Sequence, residues 1–186
     1  FKTLKVQNFL SIRNVEINLE NRGLLLINGK NNDNESLNNN GSGKSSLLEA
    51  IIFALYGRTM RGLKGDEVVH NITGKNTRVN IEIEDDDGSV YSISRYRKHH
   101  VNKNQSVIFK NGTNITPKSE SDFNDLIVKI LQSDFITFTA SLLYSSESFK
   151  FTMATDAEIK KAFDTMLNLD IFAKCLEKTR EEIKKI

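Results

Sequence analysis

The chain has 186 residues, 38% apolar and 27% charged, enough for a globular domain with a true core. A net charge of +2 excludes bulk electrostatics as a nucleic-acid signal, so any such role needs local basic patches. Cys175 is the only cysteine, which rules out an intrachain disulfide and points to a reducing cytosol. No apolar run approaches the roughly 18 residues of a membrane span, and Phe1-Lys2-Thr3 does not read as a signal peptide. Opening on Phe1 rather than Met, the chain is expected to lack its first residues.

Alternating apolar positions (Leu4, Val6, then Val15, Ile17, Leu19) predict two strands with a polar break at Arg13-Asn14. After Gly23, the unbroken run Leu24–Ile27 predicts a strand buried on both faces. Residues 44–57, KSSLLEAIIFALYG, are apolar on almost every side and predict a buried helix ended by Gly57. A basic, glycine-containing loop follows. Residues 78–84 and 89–97 alternate around the turn DDDG, and a second hairpin joins 106–110 to 113–116 through Asn111-Gly112. Ser119 and Ser121 are candidate caps for a helix with Phe123, Ile127, Ile130 and Leu131 on one face. Thr155 and Glu158 have capping-box spacing, opening a helix with Ile159, Ala162, Phe163 and Met166 inward. Phe172, Leu176, Thr179, Ile183 and Ile186 recur at heptad spacing, which fits a coiled coil or an ordinary amphipathic helix. That pattern stops mid-repeat, so further helix is expected beyond it.

The chemistry concentrates in residues 24–50, LLLINGKNNDNESLNNNGSGKSSLLEA. A phosphate-binding loop needs Gly, four residues, then Gly-Lys-Ser/Thr. Its backbone must curl so that successive N–H groups face a phosphate. Counting back from Gly43 places Asn38 where the opening glycine belongs, so the strict pattern fails. Gly29, directly after the apolar run, repairs it. Removing residues 31–39 leaves INGKNGSGKSSLLEAI, a clean strand–loop–helix unit. Lengthening the gap from 5 to 14 positions adds about 0.9 kcal/mol of closure entropy, roughly fivefold in affinity at most. The binding set is then Gly29 and Asn31 on the strand side, with Asn40, Gly41, Ser42, Gly43, Lys44, Ser45 and Ser46 on the helix side. Lys44 would neutralise the β- and γ-phosphates of ATP and supply the loop's catalytic charge. The Ser45 hydroxyl would ligate Mg²⁺, and Ser46 would donate to the α-phosphate.

Other features weigh less. The acids of IEIEDDDG follow an alternating strand and precede a hairpin glycine, so a solvated turn is preferred to a Mg²⁺-binding acidic strand. The run RYRKHHVNK, residues 95–103, reads either as a solvated hairpin or as a grip on DNA phosphates. Arg58, Arg61 and Lys64 are candidates to face nucleotide or DNA. His99 and His100 lack a spaced ligand set for zinc, and Cys175 reads as a packed residue on an amphipathic helix.

Three stretches carry a family resemblance: 4–20 with GLLLINGKN, NGSGKSSLLEAIIFALYG with RGLKGDEVVHN, and residues 138–172. The sequence resembles the amino-terminal lobe of SbcC-type, SMC-like ABC ATPases, nearest the large subunit of tailed-phage recombination endonucleases. The resemblance implies an α/β P-loop fold, half of an ABC-type head, with a mixed sheet and an antiparallel β-subdomain around the P-loop helix. Residues 1–170 would form the lobe and 171–186 the start of a coiled-coil helix. The C-terminal lobe of the same protein would supply the signature motif and acidic strand; the chain alone would then be inactive or very slow. ATP and Mg²⁺ would drive pairing with a second head, a nuclease subunit would dock nearby, and DNA would lie across the heads. The location would be a bacterial or phage-infected cytosol, or the nucleoid. By alignment, Arg13 stands in for an arginine usual at Leu10, Val69, His70 and Asn71 sit near the adenine, and Ser146 takes the place of a Mg²⁺-contacting glutamine. Other readings of the residues are a RecF-like or other SMC-type P-loop ATPase, or a DNA-binding scaffold lobe with a disabled loop.

Overall fold

A computed structural model describes residues 1–29, 43–141, 155–167 and 169–183. The chain divides into two compact units, Phe1–Ile130 and Leu131–Ile186.

The first unit is built on a six-stranded sheet: β1 (Thr3–Phe9), β2 (Ile12–Asn18), β3 (Thr77–Glu84), β4 (Val90–Arg97), β5 (Ser106–Lys110) and β6 (Thr113–Asn114), in the order β2-β1-β3-β4-β5-β6. Strand alternation sends one side chain in two to a buried face. In register, Leu4, Ile81, Ile93 and Ile108 form a fully buried row across four strands. The adjacent row runs Val6, Val79, Arg95, Ser106. Asn111 and Gly112, at φ 48° and 81°, give the β5–β6 hairpin the left-handed pair that a type I′ turn requires.

Helix α1 (Lys44–Tyr56) packs across β1, β3 and β4. Ala50, Ile52, Phe53, Ala54 and Leu55 are fully buried, and Phe53 meets Phe9 at 5.3 Å between ring centroids. The helix ends as its sequence predicts: Gly57, at φ 71°, donates its N–H to the Phe53 carbonyl at 2.9 Å. Helix α2 (Glu120–Leu131) is capped by Ser119, whose hydroxyl accepts the Asp122 N–H at 3.1 Å, and it buries Phe123 and Ile127. Ser121 falls inside the helix rather than at its cap.

Two expectations are corrected in this unit. The break between the first strands lies at Leu10-Ser11, with Leu10 at φ 47°, and Arg13 and Asn14 belong to β2. Residues 24–27 form no strand, and Leu24 is 98% exposed. A strand buried on both faces needs neighbours along both edges, and no described strand of this unit pairs with 24–27. Every described pairing is consequently antiparallel.

The second unit holds α3 (Phe135–Ser141), α4 (Asp156–Met166) and α5 (Asp170–Ile183), with α3 against α4. The Asp134 carboxylate caps α3 by accepting the Thr137 N–H at 2.8 Å. Thr155 opens α4, its carbonyl accepting the Ile159 N–H at 2.9 Å. Phe163, expected inward, is 49% exposed; the side chains of Glu158, Ala162 and Met166 lie outside the described residues. On α5, Phe172, Leu176 and Ile183 are all exposed, and Ile186 lies outside the described residues. Cys175, read as packed, is exposed.

Candidate functional site

The site forms where α1 begins. Gly43 precedes the helix at φ 86°, a conformation costly for any residue with a side chain. A Cβ there would also stand 3.2 Å from the Ser11 hydroxyl. The first turn of α1 carries no acid, so the partial positive charge of its N–H groups is not cancelled locally. Lys44 is its first residue.

A cavity of about 610 Å³ opens at this point. Gly29 and Ile27 line it from one chain segment, Gly43, Lys44 and Leu47 from another, and Arg13 and Asn14 from β2. Ile12, Val15 and Ile17 add aliphatic surface, and His70 and Ile72 come from the loop after α1. Thus Gly29, Lys44, Arg13 and His70 all line one concavity. The volume is in the ordinary range for a small-molecule site.

Other predicted residues fall elsewhere. Ser45 is exposed and Ser46 buried, and neither lines the cavity; the Ser46 hydroxyl is hydrogen-bonded to Ser11 at 2.8 Å. Val69 is buried beside Phe9 in an isolated bridge, and Asn71 is exposed away from the cavity lining. Asn31, Asn40, Gly41, Ser42 and Ser146 lie outside the described residues. Ser11, Asn14, Asn28 and Ile72 line the cavity without having been anticipated. Ser11 carried a signal: a hydroxyl in the turn that brings β2 back beside β1.

The loop leading to His70 is fixed to the helix by Glu49, a carboxylate only 2% exposed. It accepts the Met60 N–H at 2.7 Å and the Arg61 Nε–H at 3.2 Å. Arg58 pairs in a bridge with Lys64, and none of Arg58, Arg61 or Lys64 lines the cavity. His70 itself is 5% exposed. Its N–H donates to the Asn8 carbonyl at 3.0 Å, and its ring Nδ1 accepts the Thr73 N–H at 3.2 Å.

The basic run 95–103 divides in two. Arg95 is not at the surface at all: it is fully buried, and each of its five donor N–H groups has a partner. Nε donates to the Ala54 carbonyl at 2.9 Å and Nη2 to the Leu55 carbonyl at 2.9 Å and Asn124 Oδ1 at 2.7 Å. Nη1 reaches Ser106 at 3.2 Å and Glu120. The guanidinium also sits 4.8 Å from the Phe123 ring centre. Burial lowers its pKa to about 10, against the raising effect of Glu120, so it stays charged at neutral pH. Arg95 therefore holds the otherwise unpartnered C-terminal carbonyls of α1 to β4 and α2. The rest of the run forms a hairpin tip, where His99 stacks on His100 at 4.6 Å and meets Tyr96 edge-on at 4.9 Å. Partial burial, then the neighbouring His100 and Arg78 charges, hold His99 below the usual histidine range. The acids of the 85–88 turn are exposed, as a solvated turn requires.

Comparison with known proteins gives a family match to the AAA domain over residues 3–186. The chain is 29% identical over 185 residues to the DNA double-strand break repair Rad50 ATPase of Methanocaldococcus jannaschii, covering 98% of this chain and 17% of that protein. It is 26% identical over 190 residues to the probable exonuclease subunit 2 of Escherichia phage T5, covering 100% of this chain and 29% of that protein. To exonuclease subunit 2 of Enterobacteria phage T4 it is 28% identical over 138 residues, covering 73% and 22% respectively. The chain is homologous to these proteins and spans less than a third of their length. Among the described residues, no helix is long and apolar enough to cross a membrane.

Proposed function

The chain belongs to the AAA domain family, and from that premise we propose that it is the ATP-binding lobe of a DNA-break-processing ATPase that works with a nuclease. One observation carries the reading: Gly29 and Lys44, fifteen positions apart, line the same cavity at the N-terminus of α1. The lining fits a nucleoside triphosphate. An acid-free helix start, Lys44 and Arg13 provide positive potential for the phosphates, and the aliphatic side chains provide a wall for a base. Of the split loop, Gly29 and Gly43 would let the backbone come close to the phosphates and Lys44 would hold their charge, with Asn31, Asn40, Gly41 and Ser42 proposed to complete the binding set. Ser45, next to Lys44 at the start of α1, would hold Mg²⁺, and the bound ion would neutralise phosphate charge.

The exposed Leu24–Ile27 run supports a C-terminal lobe of the same protein as the missing sheet neighbour. The exposed Phe172, Leu176 and Ile183 stripe supports a second helix along α5, with residues 171–186 beginning a coiled coil. Head pairing through ATP, a nuclease subunit and DNA complete the proposal, with the cytosol or nucleoid as its location. DNA contact falls to the hairpin tip, where Arg97, Lys98 and Lys103 remain after Arg95 is withdrawn into the core.

Titrating Mg-ATP into the full-length protein tests this. Saturable binding lost in Lys44→Ala, with an unchanged melting temperature, is expected. Equal binding by both proteins, or none by the wild type, overturns the reading in favour of a scaffold lobe.

A further inference from the structure

We infer that Asn28-Gly29 is a self-modifying site: the Asn28 side-chain amide is lost to attack by the Gly29 backbone nitrogen, and the carboxylate left behind weakens the cavity's hold on phosphate. The loss of binding rests on the nucleotide-site reading above; the modification itself does not.

The sequence supplies the reactants. An asparagine carries an electrophilic amide carbon within reach of the next residue's nitrogen. Glycine in that next place leaves the nitrogen unshielded, because it has no Cβ. The reaction balances without a cofactor. The Gly29 nitrogen bonds to Asn28 Cγ, the Cγ–Nδ2 bond breaks, and the proton of the attacking nitrogen departs with the amide as ammonia. Water then opens the cyclic imide. Opening at Cγ gives aspartate, and opening at the main-chain carbonyl gives isoaspartate, whose backbone is longer by a methylene.

Local structure decides which pair reacts. Residues 25–29 belong to no helix or strand, and Asn28 is exposed. Among the described residues, neither its side-chain amide nor the Gly29 N–H has a hydrogen-bond partner, so ring closure there breaks no described contact. Asn111-Gly112 is the same dipeptide in a held form. Its Oδ1 accepts the Val90 N–H at 2.8 Å, and its backbone N–H donates to the Val90 carbonyl at 2.8 Å. Reaction there must first release the side chain from Val90.

The product falls where charge matters. Asn28 and Gly29 line the same cavity as Lys44 and Arg13. A carboxylate at position 28 offsets the positive potential of those two side chains and repels a polyphosphate. Affinity for ATP therefore declines as the protein ages.

The test ages the full-length protein at neutral pH and physiological temperature. Trypsin separates residues 23–30, which contain Asn28, from 31–44 and 111–118, and mass spectrometry reads the exchange of amide for acid in each. The expected result is conversion of 23–30 about tenfold faster than 111–118, the worth of about one hydrogen bond. In Asn28→Gln, whose extra methylene disfavours the ring closure, 23–30 should stay unconverted. Mg-ATP and inorganic tripolyphosphate are then titrated into fresh and aged proteins, with melting temperatures as the check on folding. Asn28→Asp should bind both about three- to tenfold more weakly than fresh wild type. Aged wild type should show that weaker site in proportion to its conversion, and aged Asn28→Gln should match its own fresh sample. No conversion in 23–30, or equal conversion in 23–30 and 111–118, overturns the inference. Undiminished binding by Asn28→Asp overturns its functional consequence. Fresh protein that binds neither ligand refutes the nucleotide site and the loss of binding with it, while the mass change still decides the modification.

Discussion

Replacing Arg95 with alanine separates a buried anchor from a surface base. Truncation leaves the Ala54 and Leu55 carbonyls and Asn124 Oδ1 without their donors in a site that admits little water. Each buried orphan costs about 1–3 kcal/mol. Glu120 is half exposed and recovers its hydration, so it adds little. The loss should be about 4 kcal/mol, within the range for breaking a buried charged network. At about 3 °C per kcal/mol for a domain of this size, the melting temperature should fall by about 12 °C. Circular dichroism melts of Arg95→Ala against Lys103→Ala measure it, since Lys103 is exposed at the hairpin tip and should stay within about 0.5 kcal/mol. An Arg95→Ala midpoint within 2 °C of wild type would refute the anchoring role.

Three further outcomes follow from the geometry. Gly43→Ala forces a side chain into φ 86° and toward Ser11, so stability should fall by about 1–2 kcal/mol and ATP binding should weaken; unchanged titration and melting curves would contradict this. His99 accepts the Val101 and Asn102 N–H groups on Nδ1 and titrates below its ordinary 6.5. Its contribution to the hairpin is thus present above pH 6.5 and lost as pH falls through the lower folded value, which amide exchange at Asn102 will report; titration above 6.5 would be inconsistent. Leu24→Ser with Leu26→Ser should leave the melting of residues 1–186 within about 0.5 kcal/mol but destabilise the full-length protein, where a second lobe is proposed to cover them; equal effects in both would count against that lobe.

The hairpins and the P-loop helix could be read from sequence because local chemistry decides them. Period-two alternation placed β3 and β4, Asn111-Gly112 supplied the two left-handed residues of a tight turn, and Gly57 stopped α1. Leu24–Ile27 misled because an unbroken apolar run reports a need for burial, not whether this stretch of chain can satisfy it. Arg95 misled because its basic neighbours suggested a surface patch. The alternation held the better signal: Tyr91, Ile93 and Arg95 occupy the same inward face of β4. The cavity was half legible. Gly29, Lys44, Arg13 and His70 came from motif and resemblance, whereas Ser11 and Ile72 reach it through turns whose geometry no spacing rule encodes.

The central claim is that Gly29 and the Gly43–Lys44 segment, which line one cavity, hold phosphate together. Deleting residues 31–39 from the full-length protein and titrating Mg-ATP tests it most directly. The account predicts affinity equal to wild type or up to about fivefold tighter, the size of the closure entropy removed. A folded deletion variant that has lost ATP binding would contradict it.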